Sequence, residues 1–164
     1  MNALVLYDST YGNTERIAEE IALALQEEVP TRLASVDELG EGARALEAVD
    51  LLVVGGPTHR HGVSDPLREV VERLDLDALG GLRAAPFDTR LRGAKIVTGS
   101  AAVRLSRLLR RRGAWVVVPP ASFIVDGREG PLREGEREHA RTWAQEVLSA
   151  VGVRVHAARE PAAG

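Results

Sequence analysis

Cysteine is absent from the chain, which excludes disulfides, thiolate nucleophiles and cysteine-ligated metal sites. Aromatic side chains make up only 4% of the 164 residues, and Lys95 is the single lysine beside 20 arginines. No apolar run approaches the roughly 20 residues of a membrane-spanning helix, and no basic leader precedes the first apolar run. These absences predict a cytoplasmic protein with no membrane partner.

Acidic and basic side chains nearly balance, because 24 aspartates and glutamates offset 21 basic residues to a net charge of −3. That balance does not fit the broadly basic surface of a nucleic-acid-binding protein, so no nucleic-acid partner is expected. The length suits one domain with a buried core.

Short apolar runs alternate with amphipathic stretches along the chain. Strands are predicted at 3–7, 31–36, 51–54 and 115–118, and helices at 14–25, 39–49, 64–74, 101–112 and 136–151. Strands separated by helices form β-α-β units, so the pattern predicts an α/β fold, a doubly wound and mostly parallel sheet with helices on both faces. We expect one domain over residues 1–151 and a frayed tail over 152–164. Trp115 and Trp143 are predicted core residues.

The fourth strand has two candidates. Residues 94–97 (AKIV) have good strand character, but residues 84–89 (AAPFDT) lie where a strand should follow the preceding helix. Pro86 counts against the second candidate in a central strand, because proline has no N–H to donate.

The loop after the first strand carries the densest group of polar donors. Residues 9–14 read Ser-Thr-Tyr-Gly-Asn-Thr and lie just before a predicted helix N-terminus. Backbone N–H groups at a helix N-terminus favour an anion, Gly12 allows a tight curl, and the hydroxyls add donors. No lysine or arginine occurs before Arg16, so this loop predicts a phosphate site with neutral donors only. An ordinary helix cap with a polar turn is the plainer alternative.

Two nucleotide-binding motifs are excluded at this loop. A P-loop requires a lysine after its second glycine, and a dinucleotide fingerprint requires three glycines, whereas the loop has one glycine and no lysine. A phospho-receiver domain requires an aspartate at the end of the third strand, where this chain has Gly55 and Gly56.

The segment from Val5 to Glu15 resembles the flavodoxin signature, an apolar strand followed by S/T-x-x-G-N-T and a helix. The resemblance extends in element order to about residue 150. It implies a flavodoxin-like five-stranded sheet of order 2-1-3-4-5 and an FMN cofactor. The implied contacts of the FMN phosphate and its surroundings are Ser9, Thr10, Tyr11, Gly12, Asn13 and Thr14.

The resemblance also assigns the loop after the third strand to the flavin ring. Its residues are Pro57, Thr58, His59, Arg60, His61 and Gly62. His59 takes a position that is often tryptophan in flavodoxins, and the peptide between Arg60 and His61 corresponds to the one that rotates towards the reduced flavin. Two solvated histidines are the plainer interpretation, and a metal site is disfavoured because three convergent ligands are not evident.

A third flavin loop is implied between the fourth strand and the next helix. Only the candidate strand at 84–89 leaves that loop long enough, so the resemblance favours it. Phe87, Asp88, Thr89 and Arg90 are then expected at the flavin edge, with His59, Tyr11 or Phe87 against the ring. Alternatively, Phe87 is a core residue and Arg90 a surface residue.

The predicted function is that of an FMN-binding flavoprotein in electron transport, serving redox partner proteins or a small quinone-like acceptor. No catalytic acid, base or nucleophile is predicted, and this favours a carrier over an enzyme. The alternative is an FMN-dependent NAD(P)H:quinone-type oxidoreductase with an open pocket over the flavin. The cations at 59–61, Arg90 and Arg92 predict a less negative potential for full reduction than in an acidic flavodoxin.

Overall fold

The computed structural model describes residues 1–39, 46, 48–59, 62–74, 81–93 and 100–154. Its strands are β1 (Ala3–Tyr7), β2 (Thr31–Ser35), β3 (Leu51–Pro57), β4 (Arg83–Leu91), β5 (Trp115–Val116) and β6 (Ala121–Val125). Its helices are α1 (Asn13–Gln26), α2 (Val36–Leu39), α3 (Asp65–Arg73), α4 (Ala101–Arg111) and α5 (Glu136–Ala150). The candidate strand at 94–97, most of the predicted helix at 39–49 and the tail from residue 155 lie outside the described residues.

The strands form one parallel sheet of order β2-β1-β3-β4-β5, with β6 also paired to β4. The predicted order 2-1-3-4-5 is therefore confirmed, and so is a fourth strand that contains residues 84–89. The fifth position holds two segments, because the chain breaks away from β4 between Val116 and Ala121, where Pro119 and Pro120 lie. The strand predicted over 115–118 thus ends early, and the sequence interpretation missed β6.

The break beside β4 also explains how a central strand contains Pro86. The carbonyl of Ala84 accepts a hydrogen bond from the Val117 N–H at 3.0 Å, so Ala84 directs its polar groups towards β5. Alternate residues of a strand direct their polar groups to the same side, so Pro86 faces the gap between β5 and β6. The missing N–H therefore removes no bond from the ladder.

Alternating side chains of the strands supply two separate cores. In β1, Ala3, Val5 and Tyr7 pack towards α1 and α5, whereas Leu4 and Leu6 pack towards α2, α3 and α4. Both faces of this central strand are buried, as is typical of parallel sheets covered by helices. The carboxyl edge of the sheet is left for the connecting loops.

The two tryptophans have opposite environments. Trp143 of α5 is buried against Phe87 and Phe123, which confirms its predicted place in the core. Trp115 is 67% exposed, so its predicted burial is wrong. The reason is that β5 is two residues long and lies at the edge of the sheet, where none of the helices described here covers the side chain of its first residue.

Helices α1 and α5 are joined by a buried carboxylate. Glu20 of α1 is 1% exposed, and it accepts hydrogen bonds from Arg137 Nε at 2.5 Å and Arg141 Nε at 2.6 Å. Burial opposes the charge of this carboxylate, but the two guanidinium groups outweigh that effect and lower the pKa of Glu20 below its ordinary value. The pair of helices is therefore held together by a charged contact as well as by apolar packing.

Candidate functional site

The first loop (residues 9–14) curls into the N-terminus of α1. Ser9 Oγ accepts hydrogen bonds from the backbone N–H of Gly12 at 3.1 Å and of Glu15 at 3.4 Å. Gly12 is the N-cap residue and has φ of 79°, a left-handed conformation that favours glycine. The serine and the glycine together direct the first turn of α1 towards the carboxyl edge of the sheet.

The first turn of α1 presents unpaired donors. Within the described residues, the backbone N–H groups of Asn13 and Thr14 have no hydrogen-bond acceptor, although both residues are buried. Buried backbone N–H groups normally have a partner, and those at a helix N-terminus suit an anion. The donor set fits a phosphate group.

Thr14 connects this loop to β4. Its Oγ1 lies 2.7 Å from Oγ1 of Thr89, a buried hydrogen bond between residues that are 75 apart in sequence. One of the two hydroxyls donates in this pair, so the other keeps a proton to donate elsewhere. Two of the predicted site residues therefore meet by direct contact.

A pocket of about 620 Å³ opens at the same edge of the sheet. This volume is within the range of roughly 300–1,000 Å³ that is usual for small-molecule sites. The pocket lies where the strand order reverses between β1 and β3, the position at which open α/β sheets bind ligands. Its lining residues are Ser9, Thr10, Tyr11, Asn13, Thr14, Pro57, Thr58, His59, Thr89, Arg90, Leu91, Val125 and Arg128.

The loop after β3 forms the wall opposite the first loop. His59 and Gly62 exchange two backbone hydrogen bonds at 3.1 and 2.9 Å. Gly62 has φ of 93°, a left-handed conformation that favours glycine, and a Cβ there would displace the side chain of Arg104, whose Cδ would lie 2.4 Å away. Arg60 and His61, both predicted site residues, lie outside the described residues.

Asp88 lies beneath the pocket and does not line it. Its side chain is fully buried, and Oδ2 accepts hydrogen bonds from Ser100 Oγ at 2.7 Å, Ala102 N at 2.9 Å and Thr58 Oγ1 at 3.0 Å. The Thr58 hydroxyl oxygen in turn accepts from Ala101 N at 2.8 Å. Asp88 thus joins the N-terminus of α4 to the loop after β3. Its influence on the pocket passes through Thr58, the pocket residue to which it is hydrogen-bonded.

Phe87 is a core residue, and the structure does not place it at the edge of the pocket. Its ring is 0% exposed and packs edge-on against Phe123 and Trp143 at centroid distances of 6.1 Å. Alternation along β4 explains the difference, because Phe87 points below the carboxyl edge into the core shared with α1 and α5. A Cβ on Gly55 would lie 2.5 Å from this ring, so the glycine of β3 makes room for it.

Thr89 and Arg90 line the pocket. Arg90 is only 8% exposed, and its Nη2 donates to the carbonyl of Gly93 at 3.2 Å. The sequence interpretation missed Leu91, Val125 and Arg128. Val125 ends β6 and Arg128 lies just after it. Since the sequence interpretation did not predict β6, it could not place these two residues at the pocket.

Tyr7 supports the first loop from the end of β1. Its hydroxyl donates to Glu15 Oε1 at 3.0 Å, and burial together with this carboxylate raises the pKa of Tyr7 to about 12. The phenol is therefore a neutral donor at every physiological pH, and it holds Glu15 in the first turn of α1.

In the part of the chain that the structure describes, no helix is both long and apolar enough to cross a membrane. The same residues contain no group of three side chains placed to hold a metal ion. His61, one half of the disfavoured histidine metal site, is not among them.

Comparison with solved structures gives the fold. A flavodoxin from the domain Archaea matches with a TM-score of 0.74 at 18% identity, over 92% of this chain and 99% of that one. Flavodoxin 1 from Bacillus cereus matches with a TM-score of 0.74 at 23% identity, over 91% and 98% of the two chains. Rubredoxin oxygen:oxidoreductase from Desulfovibrio gigas matches with a TM-score of 0.74 at 17% identity, over 92% of this chain but 37% of that one.

No curated protein sequence matches the chain. Residues 4–116, however, match the flavodoxin domain as a sequence family, and this segment contains the first loop, the strands β2 to β5 and all of β1 except its first residue. The protein is a member of the flavodoxin domain family.

Proposed function

We propose that the protein binds FMN and carries electrons between redox partners. The observation that supports this most directly is the first loop, which directs unpaired N–H groups and hydroxyls into a pocket at the reversal point of a 2-1-3-4-5 sheet. FMN combines a phosphate monoester with a broad ring, so it requires one anion site and one flatter, mostly apolar slot. The unpaired donors of the first loop support the anion site, and the apolar lining residues Pro57, Leu91 and Val125 support the slot.

Different residues of the pocket would bind the phosphate and the ring of FMN. The N–H groups of Asn13 and Thr14 and the hydroxyls of Ser9 and Thr10 would hold the phosphate. Pro57, His59, Arg90 and Leu91 would surround the ring. Bound FMN supplies the electron transfer itself, taking up and releasing electrons singly or in pairs.

The acid–base chemistry of the pocket suits a carrier. Among the described residues, no carboxylate lines the pocket, because Asp88 lies beneath it with Oδ2 bonded to three donors. A hydrolytic or proton-abstracting enzyme needs such a group within hydrogen-bond reach of its substrate. The redox partner is a protein or a small quinone-like acceptor.

A binding titration tests the proposal. Purified protein is added to FMN, FAD and riboflavin, and flavin fluorescence is followed. We expect saturable quenching of FMN, visible absorbance bands in the complex and release of intact FMN on denaturation. A protein that leaves FMN fluorescence unchanged would contradict the proposal.

One observation favours a second candidate, an FMN-dependent NAD(P)H:quinone-type oxidoreductase. No aromatic residue occurs between Phe87 and Trp115, and Tyr11 is 44% exposed at the rim of the pocket. A ring with few aromatic neighbours leaves space for a substrate above it. The FMN-loaded protein, supplied with NAD(P)H and a quinone but no reductase, distinguishes the two: sustained turnover supports the enzyme and its absence the carrier.

A further inference from the structure

The loop between β6 and α5 brings a cation to the pocket. In this β6–α5 loop (residues 126–131), the N–H of Gly130 donates to the carbonyl of Gly127 at 3.1 Å and closes a turn. The base of the loop is closed by the Asp126 N–H, which donates to the Pro131 carbonyl at 3.0 Å. Arg128 lies at the tip of the turn, is exposed, and lines the pocket.

The tip of the loop rests on the first turn of α1. Nδ2 of Asn13 donates to the backbone carbonyl of Glu129 at 3.0 Å, although the two residues are 116 apart in sequence. Gly130 lies directly against the same side chain, because a Cβ there would be 2.8 Å from Asn13 Oδ1. The Asn13 amide therefore positions the loop, while its backbone N–H stays available at the helix N-terminus.

This contact fixes where the guanidinium can reach. Arg128 immediately precedes the residue whose carbonyl accepts a hydrogen bond from Asn13, and it lines the same pocket as Ser9 and Thr10. No carboxylate lies within ion-pair distance of Arg128 among the described residues. The guanidinium of Arg128 and the positive N-terminal end of α1 repel each other. An anion bound between them would remove this repulsion, because it attracts both positive groups.

We propose that Arg128 is a ligand of the flavin phosphate and that the β6–α5 loop is the third wall of the phosphate site. The inference rests on the proposed function and adds a charged donor to a site for which the first loop alone predicts neutral donors only. It makes the site selective for a phosphorylated flavin over riboflavin, which lacks the anion. The family match ends at residue 116, so this wall lies outside the matched segment.

Charge removal at two positions tests the proposal. Arg128→Gln removes the cation at the tip, and Arg133→Gln removes an exposed cation just beyond the same loop, outside the pocket lining. FMN and riboflavin are titrated against each variant at two salt concentrations. For Arg128→Gln we expect FMN to bind at least about tenfold more weakly, riboflavin to bind within twofold, and the salt dependence of FMN binding to fall. Arg133→Gln should bind both flavins as the parent does.

Two further variants separate the guanidinium from the shape of the loop. Arg128→Lys keeps the charge and should recover part of the FMN affinity. Gly130→Ala displaces the loop from Asn13, so it should weaken FMN binding, and combining it with Arg128→Gln should cost little more than either change alone. Urea unfolding confirms that each variant is folded.

The outcomes distinguish this inference from the function on which it rests. If the parent binds FMN and Arg128→Gln binds it equally well, or if FMN and riboflavin weaken together, the role of Arg128 is wrong and FMN binding stands. If the parent protein does not bind FMN, both proposals fail.

Discussion

The two sides of the pocket are built in different ways. The phosphate side consists mainly of six consecutive residues, 9–14, whose positions are set by the left-handed Gly12 and by the Ser9 hydroxyl that accepts its N–H. The ring side is assembled from the ends of β3, β4 and β6, which are brought together only by the sheet. For the proposed function, this difference predicts that the phosphate side would supply most of the FMN affinity, because its donors are pre-arranged, and that the ring side would adjust the potential of the flavin. Each prediction below tests that division.

The largest effect is expected at Gly12. Gly12→Val places a β-branched residue at φ of 79° and turns the N–H groups of the first turn away from the pocket. We expect FMN affinity to fall at least about a hundredfold, since several charge-assisted hydrogen bonds are lost together. Fluorescence titration measures the change.

Gly135 provides a matched control for this substitution. It is the N-cap of α5 with φ of 85°, and a Cβ there would have no atom within 4 Å. Gly135→Val therefore imposes similar backbone strain on a helix start that is not part of the pocket. Equal losses of FMN affinity in the two variants would show that strain alone, rather than the donor array, governs binding.

The next effect concerns the support of the ring side. Asp88→Ala leaves the donors of Thr58, Ser100 and Ala102 without their shared acceptor in a buried place. Unpaired buried donors cost about 1–3 kcal/mol each, so we expect the free energy of unfolding to fall by roughly 3 kcal/mol. Riboflavin, which depends on the ring side, should also bind several-fold more weakly.

Asp37→Ala, which removes an exposed carboxylate on α2, serves as the control and should change neither quantity. Urea unfolding and riboflavin titration are the measurements. A stable Asp88→Ala variant with normal riboflavin binding would mean that α4 and the loop after β3 hold their positions without this carboxylate.

The same division explains what the sequence could predict. Residues 9–14 are adjacent in the chain, so their donor density and the glycine were visible directly. The alternation of apolar runs and amphipathic stretches predicted the doubly wound parallel sheet, and the resemblance to flavodoxins implied its order 2-1-3-4-5. The contacts Thr14–Thr89 and Asn13–Glu129 join distant segments, and no local pattern marks them. The sequence left Phe87 open between the flavin edge and the core, because whether a strand residue faces the core or the pocket depends on where the strand meets the edge of the sheet, and the structure places it in the core.

A smaller effect is expected from the charged contact between α1 and α5, which lies outside the pocket lining. The pKa of Glu20 is lowered in the folded protein, so its carboxylate stabilises the fold above the ordinary glutamate pKa, and this contribution is lost as pH falls through the lowered value. Glu20→Gln should reduce the free energy of unfolding by about 1–2 kcal/mol at pH 7 and flatten its decline in acid.

Urea unfolding at pH 7 and in the acid range measures this dependence, with exposed Glu19→Gln as the control. FMN affinity at pH 7 should remain within twofold of the parent. A large loss of affinity in Glu20→Gln would show that the phosphate side depends on helix packing far from its own loop, and the two sides would then differ less than their construction indicates.

The smallest change in binding, but the most direct test of the ring side, is expected at Arg90. The residue is 8% exposed and lines the pocket, where a cation is screened less by water than at the surface. Full reduction adds negative charge to a flavin, so a nearby cation favours the reduced form. Arg90→Gln should therefore make the potential for full reduction more negative by some tens of millivolts, given that about 59 mV corresponds to tenfold in a one-electron equilibrium.

Arg92→Gln removes the same charge from an exposed position two residues away, outside the pocket lining, and should shift the potential less. Equal shifts in spectroelectrochemical titrations would assign the effect to net charge and remove the ring side as a separate source of redox control.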